Sequence, residues 1–244
     1  MVVVRPNYKG IPPDRDIIFL ASGGRDSTAM VLEAYQLGLK GTLLFGYTKF
    51  NDRGRKTIER LAKYTGFHLH IAEYAGEEKP IKVLNESFRN IPKTKERIIK
   101  TGRFQRNYFY CCKKLKHGPM DDYIDTLYSI PIIQVMGIKK TDGNIHRRLR
   151  LGQLRKRKDS HRLKADGSLW WYPLRDCTDN DISMILDEHG FNDIPHSGCS
   201  LCPILCLYEG SKKKDPKAYN NSMKKAIRMG VITDDQLSLE VFCK

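Results

Sequence analysis

The sequence predicts an α/β fold with a mostly parallel sheet flanked by helices. Three observations carry this. Short apolar runs recur along the first 140 residues, segments with helical spacing separate them, and a glycine-rich turn joins the first run to the first helix. Asp16 to Ala21 (DIIFLA) is an apolar run bounded by a turn signal, as a strand buried on both faces should be. Ser22-Gly23-Gly24 is the turn. Ser27 to Leu37 then places Ala29, Met30, Leu32, Ala34 and Leu37 at helical spacing, with Gly38 as a stop. Gly41 to Tyr47 reads as a second strand, Arg53 to Tyr64 as a second helix closed by Gly66, and His68 to Tyr74 as a third strand. Pro131 to Ile138 is the next clear strand, and Thr178 caps a helix running to about His189. Strands alternating with helices imply right-handed crossovers.

The chain has 244 residues, enough for one domain with a small appendage and for a core that needs no disulfides. It divides on paper into an arm over 1–15 (Pro6, Pro12, Pro13), a nucleotide-binding α/β domain over 16–175, and a Cys-containing, largely helical region over 176–244. With 40% hydrophobic and 29% charged residues it is not a disordered chain. No apolar run reaches the roughly 20 residues of a membrane span, and the N-terminus lacks a long apolar signal region. A cytoplasmic protein with no membrane partner is expected.

Forty-three Lys and Arg against 28 Asp and Glu leave a net charge of +15, which favours a polyanionic partner, nucleic acid first. The charge is concentrated. Lys93 to Lys116 holds nine basic residues and one acidic one, interleaved with Phe104, Tyr108, Phe109 and Tyr110. Lys139 to Lys164 holds eleven against Asp142 and Asp159, and the tail from Lys212 is basic again. The aromatics suit stacking on unpaired bases or, equally, a helix core.

Ser22-Gly23-Gly24-Arg25-Asp26-Ser27 has the makings of a phosphate cradle. Its glycines allow a tight turn and close approach of the backbone, and the N–H groups opening the helix face an anion. Ser22 and Ser27 add hydroxyls, and Asp26, among phosphates, is best explained as a ligand for Mg²⁺. The Gly-Lys-Ser/Thr of a Walker loop is missing.

SGGRDST resembles the SGGxDS signature of the PP-loop ATP pyrophosphatases, and four further segments extend the resemblance to the branch containing the phosphoadenosine-phosphosulfate (PAPS) reductases. They are Cys111-Cys112-Lys113-Lys114-Leu115-Lys116, Gly137-Ile138-Lys139-Lys140, Pro173-Leu174-Arg175-Asp176-Cys177-Thr178 and Gly198-Cys199-Ser200-Leu201-Cys202-Pro203, in the family's order over roughly residues 16–206. The resemblance implies an adenine nucleotide alpha-hydrolase-like (Rossmann-like) fold. It also implies ATP and Mg²⁺ bound at Ser22, Gly23, Gly24, Arg25, Asp26, Ser27 and Thr28, with cleavage between the α- and β-phosphates. Lys139 stands where the family has Arg, and Lys140, Arg147 and Arg148 are further candidates for phosphate contact.

Cys111-Cys112 and Cys199-x-x-Cys202 supply four thiols in two pairs. Adjacent cysteines reach separate corners of a cubane better than one tetrahedral ion, which points to a [4Fe–4S] cluster, with zinc as the fallback metal. The similar adenylylsulfate (APS) reductases hold such a cluster on the same pairs. Cys206 is a candidate ligand or persulfide carrier. Cys177 replaces the family's Trp and reads as packing. Cys243 lies where the reductases keep a nucleophile, without their Glu-Cys-Gly-[Leu/Ile]-His setting.

The intact Gly23, Gly24, Asp26 and Ser27 favour ATP chemistry over sulfonucleotide reduction. The resulting expectation is ATP-dependent sulfur transfer to DNA or tRNA, with Asp26, Cys206 and Cys243 as the catalytic candidates and a cysteine desulfurase or other sulfur donor as partner. Two alternatives stay open. One is a thiol-dependent APS or PAPS reductase; the other is a non-catalytic, nucleotide-responsive nucleic-acid binder.

Overall fold

A computed structural model describes residues 3–101, 109–127, 131–139, 160–194, 198–207 and 215–231. Six strands form one sheet in the order β3-β2-β1-β4-β6-β5: β1 (Ile17–Leu20), β2 (Thr42–Tyr47), β3 (His68–Glu73), β4 (Ile133–Met136), β5 (His161–Leu163) and β6 (Leu169–Trp171). β1 runs parallel to β2 and β4, and β4 parallel to β6, while β5 is an antiparallel edge. The helices are α1 (Arg25–Gln36), α2 (Asp52–Thr65), α3 (Pro80–Arg89), α4 (Ile91–Thr101), α5 (Tyr110–Cys112), α6 (Gly118–Leu127), α7 (Asp179–Glu188) and α8 (Pro216–Arg228). A π-helical segment, Lys113–His117, separates α5 from α6, and Pro203–Leu207 is a 3₁₀ turn. No helix among the described residues is long and apolar enough to cross a membrane.

The elements expected from the sequence all form, within two residues at each end. β1 is apolar throughout because a central parallel strand is covered on both faces; Ile18 and Phe19 are wholly buried. The β5–β6 hairpin was not expected. Its strands have three residues each, too short for an alternating pattern, and Trp170-Trp171 carries no period.

The chain forms two compact units that interleave in sequence. The first comprises Met1–Phe45, Arg53–Ala72 and Met120–Ser197; the second comprises Gly46–Asp52, Glu73–Pro119 and Gly198–Lys244. This replaces the linear division at 15/16 and 175/176. The N-terminal segment is tied into the first unit rather than standing as an arm: Tyr8 Oη donates to Met30 O (2.6 Å), Asn7 N–H to Pro173 O (2.9 Å), and Trp171 Nε1 to Asn7 O (2.9 Å). α7 also belongs with the sheet. The second unit packs α3, α5 and α8 around Val83, Leu84, Phe88, Phe109, Leu115 and Met223. Phe109 is therefore core and not a surface for bases, while Phe104 and Tyr108 lie outside the described residues.

α7 starts on a capping box. Thr178 Oγ1 accepts from Asp181 N–H (3.2 Å), and Asp181 Oδ2 accepts from Thr178 N–H (2.7 Å). Thr178→Ala is expected to cost about 1 kcal/mol in urea-unfolding stability. An unchanged midpoint would mean that packing alone sets the start of α7.

Candidate phosphate turn and thiolate cluster

In the first unit, β1 and β4 end level with one another (Leu20 opposite Met136), with β2 on the far side of β1. Chain order reverses here, and the carboxyl ends of diverging strands open a crevice for a ligand. The Ser22–Ser27 turn occupies this position. Gly24, extended at φ −94° and ψ 167°, precedes α1 without any side-chain cap. The helical ladder begins only at Thr28 N–H, which donates to Gly24 O (3.0 Å), so the amides of Gly23 and Gly24 lie outside it. Gly23 has φ +71°, and a Cβ there would stand 2.2 Å from Gly54 O. A Cβ on Gly54 would in turn stand 2.8 Å from Ser22 O. Backbone rests directly on backbone, and only glycine fits either position.

Ser27 holds the turn closed. Its buried hydroxyl donates to Gly24 O (3.0 Å), accepts from Ser22 N–H (3.2 Å) and lies 3.1 Å from Ser22 Oγ. This corrects the expectation that Ser27 faces a phosphate. Thr28 is corrected likewise: its amide serves the helix, and its side chain is wholly buried with Oγ1 unpartnered. Arg25 donates to Ser183 Oγ on α7 (2.5 Å), which commits its guanidinium to that helix.

Gly137, following β4, abuts the turn closely enough that a Cβ there would lie 3.2 Å from Ser27 N. Two residues on, the Lys139 side chain is only 4% exposed, and its Nζ joins Asp26 (2.7 Å) and Asp179 at the start of α7. Burial works against the ammonium, but the bonds to Asp179 and Asp26 outweigh it, and the pKa is raised. Asp26, expected to hold Mg²⁺, and Lys139, expected to meet phosphate, thus hold one another. Arg147, Lys140 and Arg148 lie outside the described residues.

The second unit contains both cysteine pairs. Cys111 and Cys112 are hydrogen-bonded thiol to thiol; Cys111 also feels the charge of Cys202, and Cys199 that of Cys112. Buried serines fix the backbone of each pair. Ser87 Oγ accepts from Cys111 N–H (2.8 Å), and Ser222 Oγ accepts from Cys202 N–H (2.8 Å) while donating to Ala218 O (2.8 Å). Thr48 Oγ1 lies 3.3 Å from Cys199 Sγ, and Asn51 Oδ1 accepts from Thr48 N–H (3.0 Å). The π-helical segment directly after Cys112 locally widens the helix, a distortion common at functional sites.

The six described cysteines are free thiols. The bond to Cys112, then burial, pushes the Cys111 thiol far up, and burial raises Cys199 against the nearby Lys116. Thiols crowded in this way resist ionising unless a metal centre takes their charge. Four sulfur donors suit a thiolate-bound centre. Among the described residues no three Cys, His, Asp or Glu side chains are placed to hold a metal ion, which bears equally on zinc and on a cluster: the two pairs would have to draw together to hold either.

Cys206 does not fit the persulfide role expected of it. It is buried in the apolar core of the second unit, and burial pushes its thiol up to about 12, leaving little thiolate. Cys177, expected to pack, is buried and donates to Val4 O (3.4 Å). Cys243 lies outside the described residues. Gly54, Asp179, Ser87, Ser222, Thr48 and Asn51 were not anticipated. Single polar or glycine residues far from the motifs give no spacing signal, and only the fold brings them to the motifs they serve.

No protein-family model and no curated protein matches the chain. Among solved structures it is similar to a phosphoadenylyl-sulfate (PAPS) reductase from Candida auris in a phosphate complex, at 12% identity and TM-score 0.48, over 77% of this chain and 76% of that one. It is also similar to a predicted subunit of tRNA methyltransferase from Methanocaldococcus jannaschii, at 17% identity and TM-score 0.33, over 72% of this chain and 88% of that one.

Gly23→Ala tests the backbone contact under the turn. The left-handed φ alone costs about 1–2 kcal/mol, and the contact with Gly54 O adds to it. A loss of at least about 2 kcal/mol in unfolding stability is expected, whereas an unaffected protein would show that the turn has another conformation.

Proposed function

We propose that this chain is a PP-loop ATP pyrophosphatase that activates a nucleic acid for sulfur transfer. The observation that carries the reading is the uncapped glycine turn at the switch point of the sheet, which leaves backbone donors and a helix N-terminus for polyphosphate. Asp26 and Lys139 form an exchangeable pair beside it. On arrival of Mg²⁺ and ATP, the carboxylate of Asp26 turns to the cation and the ammonium of Lys139 to the phosphates, each trading one opposite charge for another. An oxygen of the target attacks the α-phosphorus, the bond to the bridging oxygen breaks, and pyrophosphate leaves with its charge neutralised. The target oxygen then carries AMP as a leaving group, which sulfur displaces.

Cys111, Cys112, Cys199 and Cys202 would hold a [4Fe–4S] cluster; since four thiolates fill all four irons, one of them would have to leave its iron for that site to carry sulfide. The residues around them do the positioning: Ser87 and Ser222 fix the two backbones, and Thr48 orients Cys199. The sulfur itself must arrive as sulfide, or as a desulfurase persulfide together with a thiol reductant that releases its outer sulfur as sulfide.

Anaerobically purified protein, given ATP, Mg²⁺ and tRNA or DNA, is expected to form AMP and pyrophosphate. Asp26→Asn should slow this at least about 100-fold. About four iron and four sulfide per chain are expected, and Cys199→Ser should lose them. No AMP with any nucleic acid, or sulfite release from APS or PAPS instead, would overturn the assignment.

A further inference from the structure

The second unit carries a basic groove that the ATP and cysteine chemistry does not use. It is a cavity of about 400 Å³ lined by Leu201, Asn221, Lys224, Lys225, Arg228 and Met229. Five of the six come from α8 and the residue following it. α8 contains no acidic residue between Pro216 and Arg228. Its inner face buries Ala218, Tyr219, Ser222, Met223 and Ala226, and Asn221, Lys224 and Arg228 are exposed. Lys225 is half-buried, with Nζ 5.8 Å from the centre of the Phe88 ring. Basic residues at a helix C-terminus offset its dipole, but that amounts to only about half a negative charge. Three cations exceed it, and the described lining is cationic.

This groove is coupled to the cysteines by the covalent and hydrogen-bonded frame of the unit. Leu201, on its wall, lies between Cys199 and Cys202 in the chain. Ser222, on the inner face of the same helix, holds Cys202 N–H. Whatever occupies the groove is therefore held against the segment that positions two of the four sulfurs.

We infer that the groove binds single-stranded RNA, with Lys224 and Arg228 on phosphates and an unstacked base against Leu201 and Met229. This deepens the proposed nucleic-acid reading by naming the substrate class and where it docks. The cavity is concave and has apolar walls under a cationic rim, which suits a splayed-out nucleotide. A base stacked in a duplex presents no face to such a wall. Asn221, in the lining, carries an amide able to pair with a ribose 2′-hydroxyl, the group that separates RNA from DNA.

The test is fluorescence anisotropy of the full-length protein with a labelled single-stranded RNA, the same sequence as single-stranded DNA, and a duplex DNA of equal length, between 50 and 200 mM salt as in ordinary counterion-release titrations. ATP is left out, so failure of the ATP reading would not affect the outcome. The RNA is expected to bind tightest. Lys224→Ala with Arg228→Ala should weaken it at least about 10-fold and flatten the log–log salt slope by about 1.4, for two lost contacts at about 0.7 each. Asn221→Ala should narrow the gap between RNA and single-stranded DNA. Lys63→Ala, an exposed lysine on α2 in the first unit and not in the lining of the groove, should change affinity less than about 2-fold. The inference fails if the double variant keeps the wild-type slope while unfolding at the wild-type temperature. It also fails if Lys63→Ala weakens binding as much as the double variant, or if either DNA binds as tightly as the RNA.

Discussion

The contact of Gly23 on Gly54 is the constraint on which the nucleotide reading depends. A strand that ends at Leu20 must turn into a helix that begins at Arg25, and it does so with its backbone pressed on the opening of α2. No side chain fits between them. The turn is thereby held from beneath, and Ser27 closes it from within through Gly24 O and Ser22 N–H. Rigidity obtained from protein contacts alone leaves the outward donors of the turn unspent. That is what an anion site requires: donors already in place, so that binding costs little reordering.

The same economy governs the charges beside it. Lys139 is too buried to stand alone as an ammonium, and Asp26 and Asp179 keep it charged. In the proposed reaction Mg²⁺ would take over Asp26 while nucleotide phosphates take over Lys139. In the second unit the logic is reversed. Cys111 and Cys199, one from each pair, have raised pKa values, and serine hydroxyls hold the backbones of Cys111 and Cys202. Thiols held protonated in this way are weak nucleophiles as they stand.

Much of the fold could be read from the sequence because parallel strands buried on both faces are plainly apolar; Ile17 to Leu20 and Thr42 to Tyr47 show this. The turn and the two cysteine pairs were legible as motifs. The partnerships were not. Asp179 reaches Lys139 across 40 residues, Ser222 reaches Cys202 across 20, and Gly54 lies in a basic helix with no motif of its own. Local pattern also misassigned roles to residues correctly located. Ser27 and Thr28 sit in the turn but serve the backbone and the core, and Cys206 follows Cys202 closely but is packed in apolar surroundings. The interleaving of the two units leaves no mark in the sequence for the same reason, since the chain crosses between them several times.

Calorimetric titration with ATP, AMP and PAPS, each with and without Mg²⁺, tests the central claim most directly. A turn that grips polyphosphate should bind Mg²⁺-ATP at least about tenfold, or 1.4 kcal/mol, more tightly than AMP or PAPS, and should lose that margin when Mg²⁺ is withheld. Equal affinity for AMP, or tighter binding of PAPS independent of Mg²⁺, would contradict it.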